Sequence, residues 1–172
     1  MPSPLQMPED PFEFATTAAG FHQGVRLTPL HGALLAATVA NDGNMAAAHL
    51  VEAIDGVPVP GVAPRHVLDP AVARDLGLMM ERTVVDGTAR TAFRDRRGPV
   101  LPGVRIAGKT GSLFERDPFR DASWFVGYAP ADAPKIAVSA VIVNEEIWHI
   151  RAPYVAREAL RSYLLGTSPY RP

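Results

Sequence analysis

Residues 104–143 constrain the fold more than any other part of the chain. Three strand-like runs follow one another there: VRIAGKTGS from Val104, SWFVGYAP from Ser123 and KIAVSAVIV from Lys135. The first alternates Val104 and Ile106 before a run of small residues. The third is nearly all apolar and β-branched, the pattern of a strand buried on both faces. Between the first two lies LFERDPFRD, a charged segment holding Pro118 that reads as a turn. Three successive strands with short connections predict an antiparallel meander.

Helical signals flank these strands. Thr28 followed by Pro29 is a cap-then-proline start, and Leu30, Leu34, Leu35, Thr38 and Val39 continue at near-helical spacing to Asn41-Asp42-Gly43. The richness of this helix in Ala predicts packing on most of its sides. Asp69-Pro70 opens a second helix by the same logic, running through Leu76, Met79, Met80 and Val84. Asp86-Gly87 ends it, with Thr88 placed to cap a short further helix to Phe93. Between the two long helices, Asp55-Gly56 predicts a hairpin turn. ARTAFRDRRGP reads as a polar connector whose Arg94, Arg96 and Arg97 form a solvated face. A closing amphipathic helix is expected over 152–165, with Val155, Ala159, Leu164 and Leu165 on its apolar side.

At 172 residues the chain has the size of one domain, and no internal repeat is present. Its 47% apolar and 20% charged residues are globular values. A net charge of -1 carries no electrostatic footprint for nucleic acid. There are no cysteines, which excludes disulfides, thiolate zinc sites and thiol nucleophiles. No cofactor is indicated, and no run of about 18 apolar residues exists to cross a bilayer. Pro2, Pro4, Pro8 and Pro11 predict an extended connector over residues 1–20. Neither a basic start nor an apolar run marks that segment as a signal peptide. The expected domain is 21–166, with 167–172 a tail.

Lys109 and Lys135 are the only lysines in the chain, the other basic residues being Arg. A lysine alone within a strand hints at a role that the guanidinium fork would not fill. Gly103, Gly108, Lys109 and Thr110 also satisfy G-x-x-x-x-G-K-[ST], so a phosphate-binding loop is a rival reading. That loop must follow a strand and open a helix, whereas Val104–Ala107 favour strand and Pro118 comes soon after. The histidines, His22, His31, His49, His66 and His149, fall in no metal-ligand spacing.

Taken together, these segments resemble the C-terminal half of the transpeptidase domain of penicillin-binding proteins. The resemblance covers about residues 18–165 and rests on several stretches in order. They are VRLTPLHGALLAATVANDGNM after Gln23-Gly24, MMERTVVDGTART, AGKTGS and SWFVGYAPADAPKIAVSAVI. Lys-Thr-Gly at a strand is one of three motifs that build the active site of serine enzymes acting on penicillins. Class D β-lactamases share Lys-Thr-Gly and Trp-Phe-Val-Gly, but the Thr-Pro-Leu helix with Ala-Asn-Asp-Gly argues for the transpeptidase side. The implied fold is of the α/β class, α+β type: a partial β-lactamase/transpeptidase-like fold, an antiparallel sheet with helices packed on it.

By this resemblance Lys109 supplies a cation for the terminal carboxylate of a peptidoglycan stem peptide or a β-lactam. The hydroxyls of Thr110 and Ser112 hydrogen-bond the same carboxylate, and the Ser112 N–H is an oxyanion donor. Lys109 and Ser112 are thus the expected catalytic contributors. Gly111 lets substrate lie along the strand edge as an added strand. Trp124, on the next strand, is expected to serve core packing. The location implied by the resemblance is periplasmic or the extracytoplasmic face of the inner membrane.

The departure from the family pattern is as informative as the match. No Ser is followed three residues on by Lys, and Ser-x-Asn is absent. The chain therefore carries one wall of the site without the nucleophile, and is not expected to acylate alone. Three readings follow: part of a longer or split D,D-transpeptidase, a nucleophile-free module that binds the cell wall or a partner, or a remnant. The first is favoured, with the missing N-terminal half of the domain as the expected partner. Without it, one sheet face and helix 29–40 are expected to lie uncovered.

Overall fold

The computed structural model describes residues 7–20, 25–117, 119–147 and 150–166. Pro2, Pro4, His22, Gln23-Gly24, Pro118, His149 and the 167–172 tail lie outside the described residues.

The first element corrects the expectation of an extended connector. Pro11–Ala18 is a helix, α1, because the Asp10 carboxylate accepts from the N–H groups of Phe12 and Glu13 and Pro11 sits in the first turn. Proline density there marks a helix start, where the missing N–H costs nothing. Helix α2 spans Pro29–Ala40, capped by Thr28 accepting from His31 N–H at 3.2 Å. Its packing is one-sided: Gly32, Ala36 and Thr38 are buried, while Leu30 and Leu35 are exposed.

Short pairs follow: β1 (Asn44–Met45) with β4 (Arg65–His66), and β2 (Ala53–Ile54) with β3 (Val57–Pro58). Asp55 and Gly56, at φ 51° and 80°, make the β2–β3 turn expected of Asp-Gly. Helix α3 runs Pro70–Val85 from an Asp69 cap that accepts Ala71 N–H at 2.7 Å. Its buried positions are Ala73, Gly77 and Val84, with Met79 left exposed. The short α4, Arg90–Phe93, has Ala89 as its cap residue and no side-chain cap bond, so Thr88 does not do the capping expected of it. The supposed connector beyond is a hairpin of β5 (Arg94–Asp95) and β6 (Gly98–Pro99). It leaves the arginines exposed but follows a buried Phe93.

The meander is present: β7 (Ala107–Arg116), β8 (Phe119–Ala129) and β9 (Ile136–Asn144) pair antiparallel in the order β7-β8-β9. Two boundaries differ from expectation. β7 starts at Ala107, not Val104, and the charged segment taken for a turn is strand on both sides, so that Arg116 pairs with Phe119. Cross-strand pairing thus overrides the charge of the segment. β9 is not buried on both faces. It is covered by α2 and α5 but is an edge strand of this sheet, and its residues are half-buried or, like Val143, exposed.

Alternation along β8 sends Phe125 to one face and Val126 to the other. Phe125 is fully buried in a core with Phe93, Leu101, Ile106, Ala156 and Leu160, on the side of α4 and α5. On the other face, a Cβ on Gly32 of α2 would come within 2.9 Å of Val126, so that helix lies close upon the strand. Both sheet faces are therefore covered in part. What stays open is the outer half of β7, where Leu113 and Phe114 are exposed, and the outward side of α2.

Helix α5, Ala152–Leu165, has the expected bounds; Leu164 packs half-buried against the core as expected, but Val155, Ala159 and Leu165 are exposed and the buried stripe is Ala152, Pro153, Ala156 and Leu160. Both stripes are apolar in sequence. The sheet selects the one that lets small Ala side chains sit on Phe125 and Ser123. No helix among the described residues is long and apolar enough to cross a membrane.

Candidate functional site

The Lys-Thr-Gly-Ser run lies inside β7, an edge strand of the three-stranded sheet. Pairs Lys109–Val126, Thr110–Phe125, Gly111–Trp124 and Ser112–Ser123 fix its register against β8. Period-two alternation then divides the motif. Lys109 and Gly111 belong to the α2 face with Val126 and Trp124, while Thr110 and Ser112 belong to the face of Phe125 and Ser123. The four do not form a cluster on one face. They meet at the edge, where a ligand lying alongside β7 is within reach of both.

Two glycines place the strand. A Cβ on Gly108 would lie 2.1 Å from the Phe125 ring, and one on Gly127 would lie 2.4 Å from the Ala107 carbonyl oxygen. Phe125 fills the space that side chains would take at this point of the ladder, which draws β7 and β8 together just before Lys109. Gly111 has a milder constraint, its would-be Cβ standing 3.3 Å from Trp124 Cβ. Trp124 itself is half-buried.

The Lys109 side chain is exposed, and its ammonium folds back to donate to the Thr110 carbonyl at 2.7 Å. Ser112 is exposed and Thr110 half-buried. Thr110 has a partner that sequence reading missed, the hydroxyl of Thr88 at 2.6 Å. Helix α3 makes that contact possible. Its Gly77 lies against Tyr128 on the α2 face, and its Val84 joins the core around Phe125 on the other. The helix thus passes around the β7 edge and delivers the 86–89 turn beside Thr110. Nothing local in the sequence announces this, since the two threonines are 22 residues apart.

Gly108, Lys109 and Thr110 all lie in a strand that continues to Arg116, and no helix follows them. The phosphate-loop reading fails on that geometry. Among the described residues no group of His, Asp and Glu is placed to hold a metal ion. A cleft of about 360 Å³ is lined by Val39, Asp42, Gly77, Glu81, Arg105 and Tyr128 among others and includes none of the four motif residues. Arg105 forks onto Glu81 there at 2.8 and 3.0 Å. Burial, with help from Glu81, raises the Tyr128 phenol above its ordinary value. A mixed-charge cleft whose ion pair is already formed reads as structural.

The family described as the penicillin-binding protein transpeptidase domain matches residues 6–161, nearly the whole chain. The chain belongs to that family. Among its relatives is the peptidoglycan D,D-transpeptidase PbpA of Mycobacterium tuberculosis, 33% identical over 159 residues; the match covers 83% of this chain and 30% of PbpA. The peptidoglycan D,D-transpeptidase MrdA of Haemophilus influenzae is 30% identical, with 87% of this chain and 26% of MrdA covered. Of solved structures, Pseudomonas aeruginosa PBP2 in complex with WCK 5153 superposes with a TM-score of 0.71 at 31% identity, over 91% of this chain and 33% of that one. The imipenem acyl-enzyme of penicillin-binding protein A from M. tuberculosis gives 0.65 at 29%, over 83% and 32%. The chain thus spans about a third or less of each of these four proteins, and corresponds to part of a penicillin-binding transpeptidase domain. The family match also reaches back over α1, into the segment expected to be a connector.

Proposed function

We propose that this chain supplies the carboxylate-binding wall of a peptidoglycan D,D-transpeptidase site. The reading rests above all on one observation: Lys-Thr-Gly-Ser occupies the middle of an edge strand, with Lys109 and Ser112 exposed and Thr110 half-buried. A stem peptide ending in D-Ala-D-Ala lies along β7 as an added antiparallel strand. Thr110 and Ser112 donate to its terminal carboxylate, and Lys109 swings from the Thr110 carbonyl to neutralise the charge. The Ser112 N–H faces the carbonyl under attack as one oxyanion donor. Gly111 keeps the strand surface low at the point of approach. A β-lactam carboxylate takes the same place.

The nucleophile is not in this chain, because neither S-x-x-K nor S-x-N occurs in it. Acyl transfer requires residues from the rest of the domain, and this wall contributes binding and charge stabilisation only. Peptidoglycan lies outside the cytoplasmic membrane, so the site works on the extracytoplasmic face.

The test has two parts. Fluorescent penicillin incubated with the purified chain leaves no covalent band on a denaturing gel, whereas a stable band would locate a nucleophile here and sink the reading. Titration of the 15N-labelled chain with acetyl-D-Ala-D-Ala shifts the amides of residues 109–112, and the C-terminal amide of the same peptide shifts them only at higher concentration. Equal shifts from both would remove the carboxylate from the mechanism.

A further inference from the structure

We infer that Thr88 is a positioning residue for the carboxylate site, donating its hydroxyl proton to Thr110 Oγ1 so that the Thr110 proton is aimed at the ligand. The inference rests on the proposed carboxylate-binding role of Thr110. A hydroxyl has one proton and two acceptor lone pairs. The two hydroxyls are 2.6 Å apart, and either polarity satisfies that distance. With Thr110 as donor, its only proton is spent on Thr88 and it presents lone pairs to an anion, which repels them. With Thr88 as donor, Thr110 keeps its proton for the carboxylate, and accepting one hydrogen bond makes it a better donor in the next. An anion at Thr110 therefore selects the Thr88-to-Thr110 polarity.

The backbone holds Thr88 for this task. The N–H groups of Asp86 and Gly87 both donate to the Arg82 carbonyl, at 3.1 and 2.9 Å, and Ala89 N–H donates to that of Thr83 at 3.0 Å. A Cβ on Gly87 would come within 2.7 Å of Thr83 Cα, so the turn is drawn tightly against the end of α3. On its other side Ala89 is fully buried. Between these two anchors Thr88 is exposed, yet its hydroxyl turns to Thr110 instead of capping α4. Burial or helix capping accounts for neither the residue type nor its orientation.

The test uses the full chain, titrated with acetyl-D-Ala-D-Ala and with its C-terminal amide, and read at the Thr110 and Ser112 amides. Thr88→Val, which keeps the shape and removes the donor, weakens the acid by about threefold to tenfold. It leaves the amide peptide and the melting temperature unchanged. Thr88→Ser restores acid binding. On a Thr110→Val background, Thr88→Val has no further effect, because the relay is already broken. Wild-type affinity in Thr88→Val, with loss in Thr110→Val, would overturn the inference and leave the carboxylate reading standing. Equal weakening of acid and amide would reduce Thr88 to packing and overturn it too. If the wild-type chain ignores both peptides, the carboxylate reading falls and the inference falls with it.

Discussion

The buried Ser123 hydroxyl accepts the backbone N–H of Ala152 at 3.0 Å, tying the middle of the central strand to the first residue of α5. Arg151, in the cap position, makes no side-chain cap bond, so a side chain from the sheet satisfies the first donor of the helix. Replacement of Ser123 by Ala leaves that N–H buried without a partner. The expected loss is about 1–3 kcal/mol, which chemical denaturation should report as a lower midpoint with an unchanged slope. An unchanged midpoint would mean that α5 is held by its Ala156 and Leu160 contacts alone.

Gly108→Ala tests the packing that sets the motif strand. The new methyl meets the Phe125 ring, which is fully buried and 5.3 Å from the Phe93 ring. Overpacking of this kind costs about 1–3 kcal/mol. Adding Phe125→Leu should give back part of the loss, since the smaller side chain vacates the contested space. Strict additivity of the two substitutions would show that the clash is relieved elsewhere.

Tyr128 makes stability sensitive to alkali. Its phenol is raised by burial first and by Glu81 second, so the folded state holds the proton at pH values where the unfolded chain has released it. The unfolded chain then binds fewer protons, and stability falls as pH rises past the ordinary phenol value of about 10. Below that value the contribution is fully present. Thermal melts across pH 9 to about 11 should fall more steeply for the wild-type chain than for Tyr128→Phe. Parallel curves would assign the alkaline loss to other groups.

Self-association is the expected behaviour of the isolated chain. Leu30 on α2 is 62% exposed, and Val72, Leu78 and Met79 on α3 are also exposed, beside a sheet whose β9 edge has no partner strand among the described residues. Apolar patches and free strand edges recruit further chains. Sedimentation velocity should show a weight-average mass that rises with concentration. A single monomeric species at every concentration would contradict this.

Much of the architecture was legible because local chemistry carried it. The Thr28-Pro29 and Asp69-Pro70 starts, the Asp55-Gly56 turn and the three strand runs each state their conformation in a few adjacent residues. The motif Lys109 to Ser112 was legible for the same reason. Errors came where two local answers were both available. Pro11 marks a helix start as readily as a connector, and α5 carries two apolar stripes, of which only packing could choose one.

Short-range preferences set the three meander strands, the helices that start at Pro29, Pro70 and Ala152, the order of these elements and the identity of the motif. Tertiary structure alone decided that the motif strand lies at an edge of the sheet and that Gly108 exists for Phe125. It alone brought Thr88 to Thr110. These facts depend on strand register and on the path of α3 around the sheet edge. Contacts between residues far apart in the chain fix both, and no local pattern encodes them.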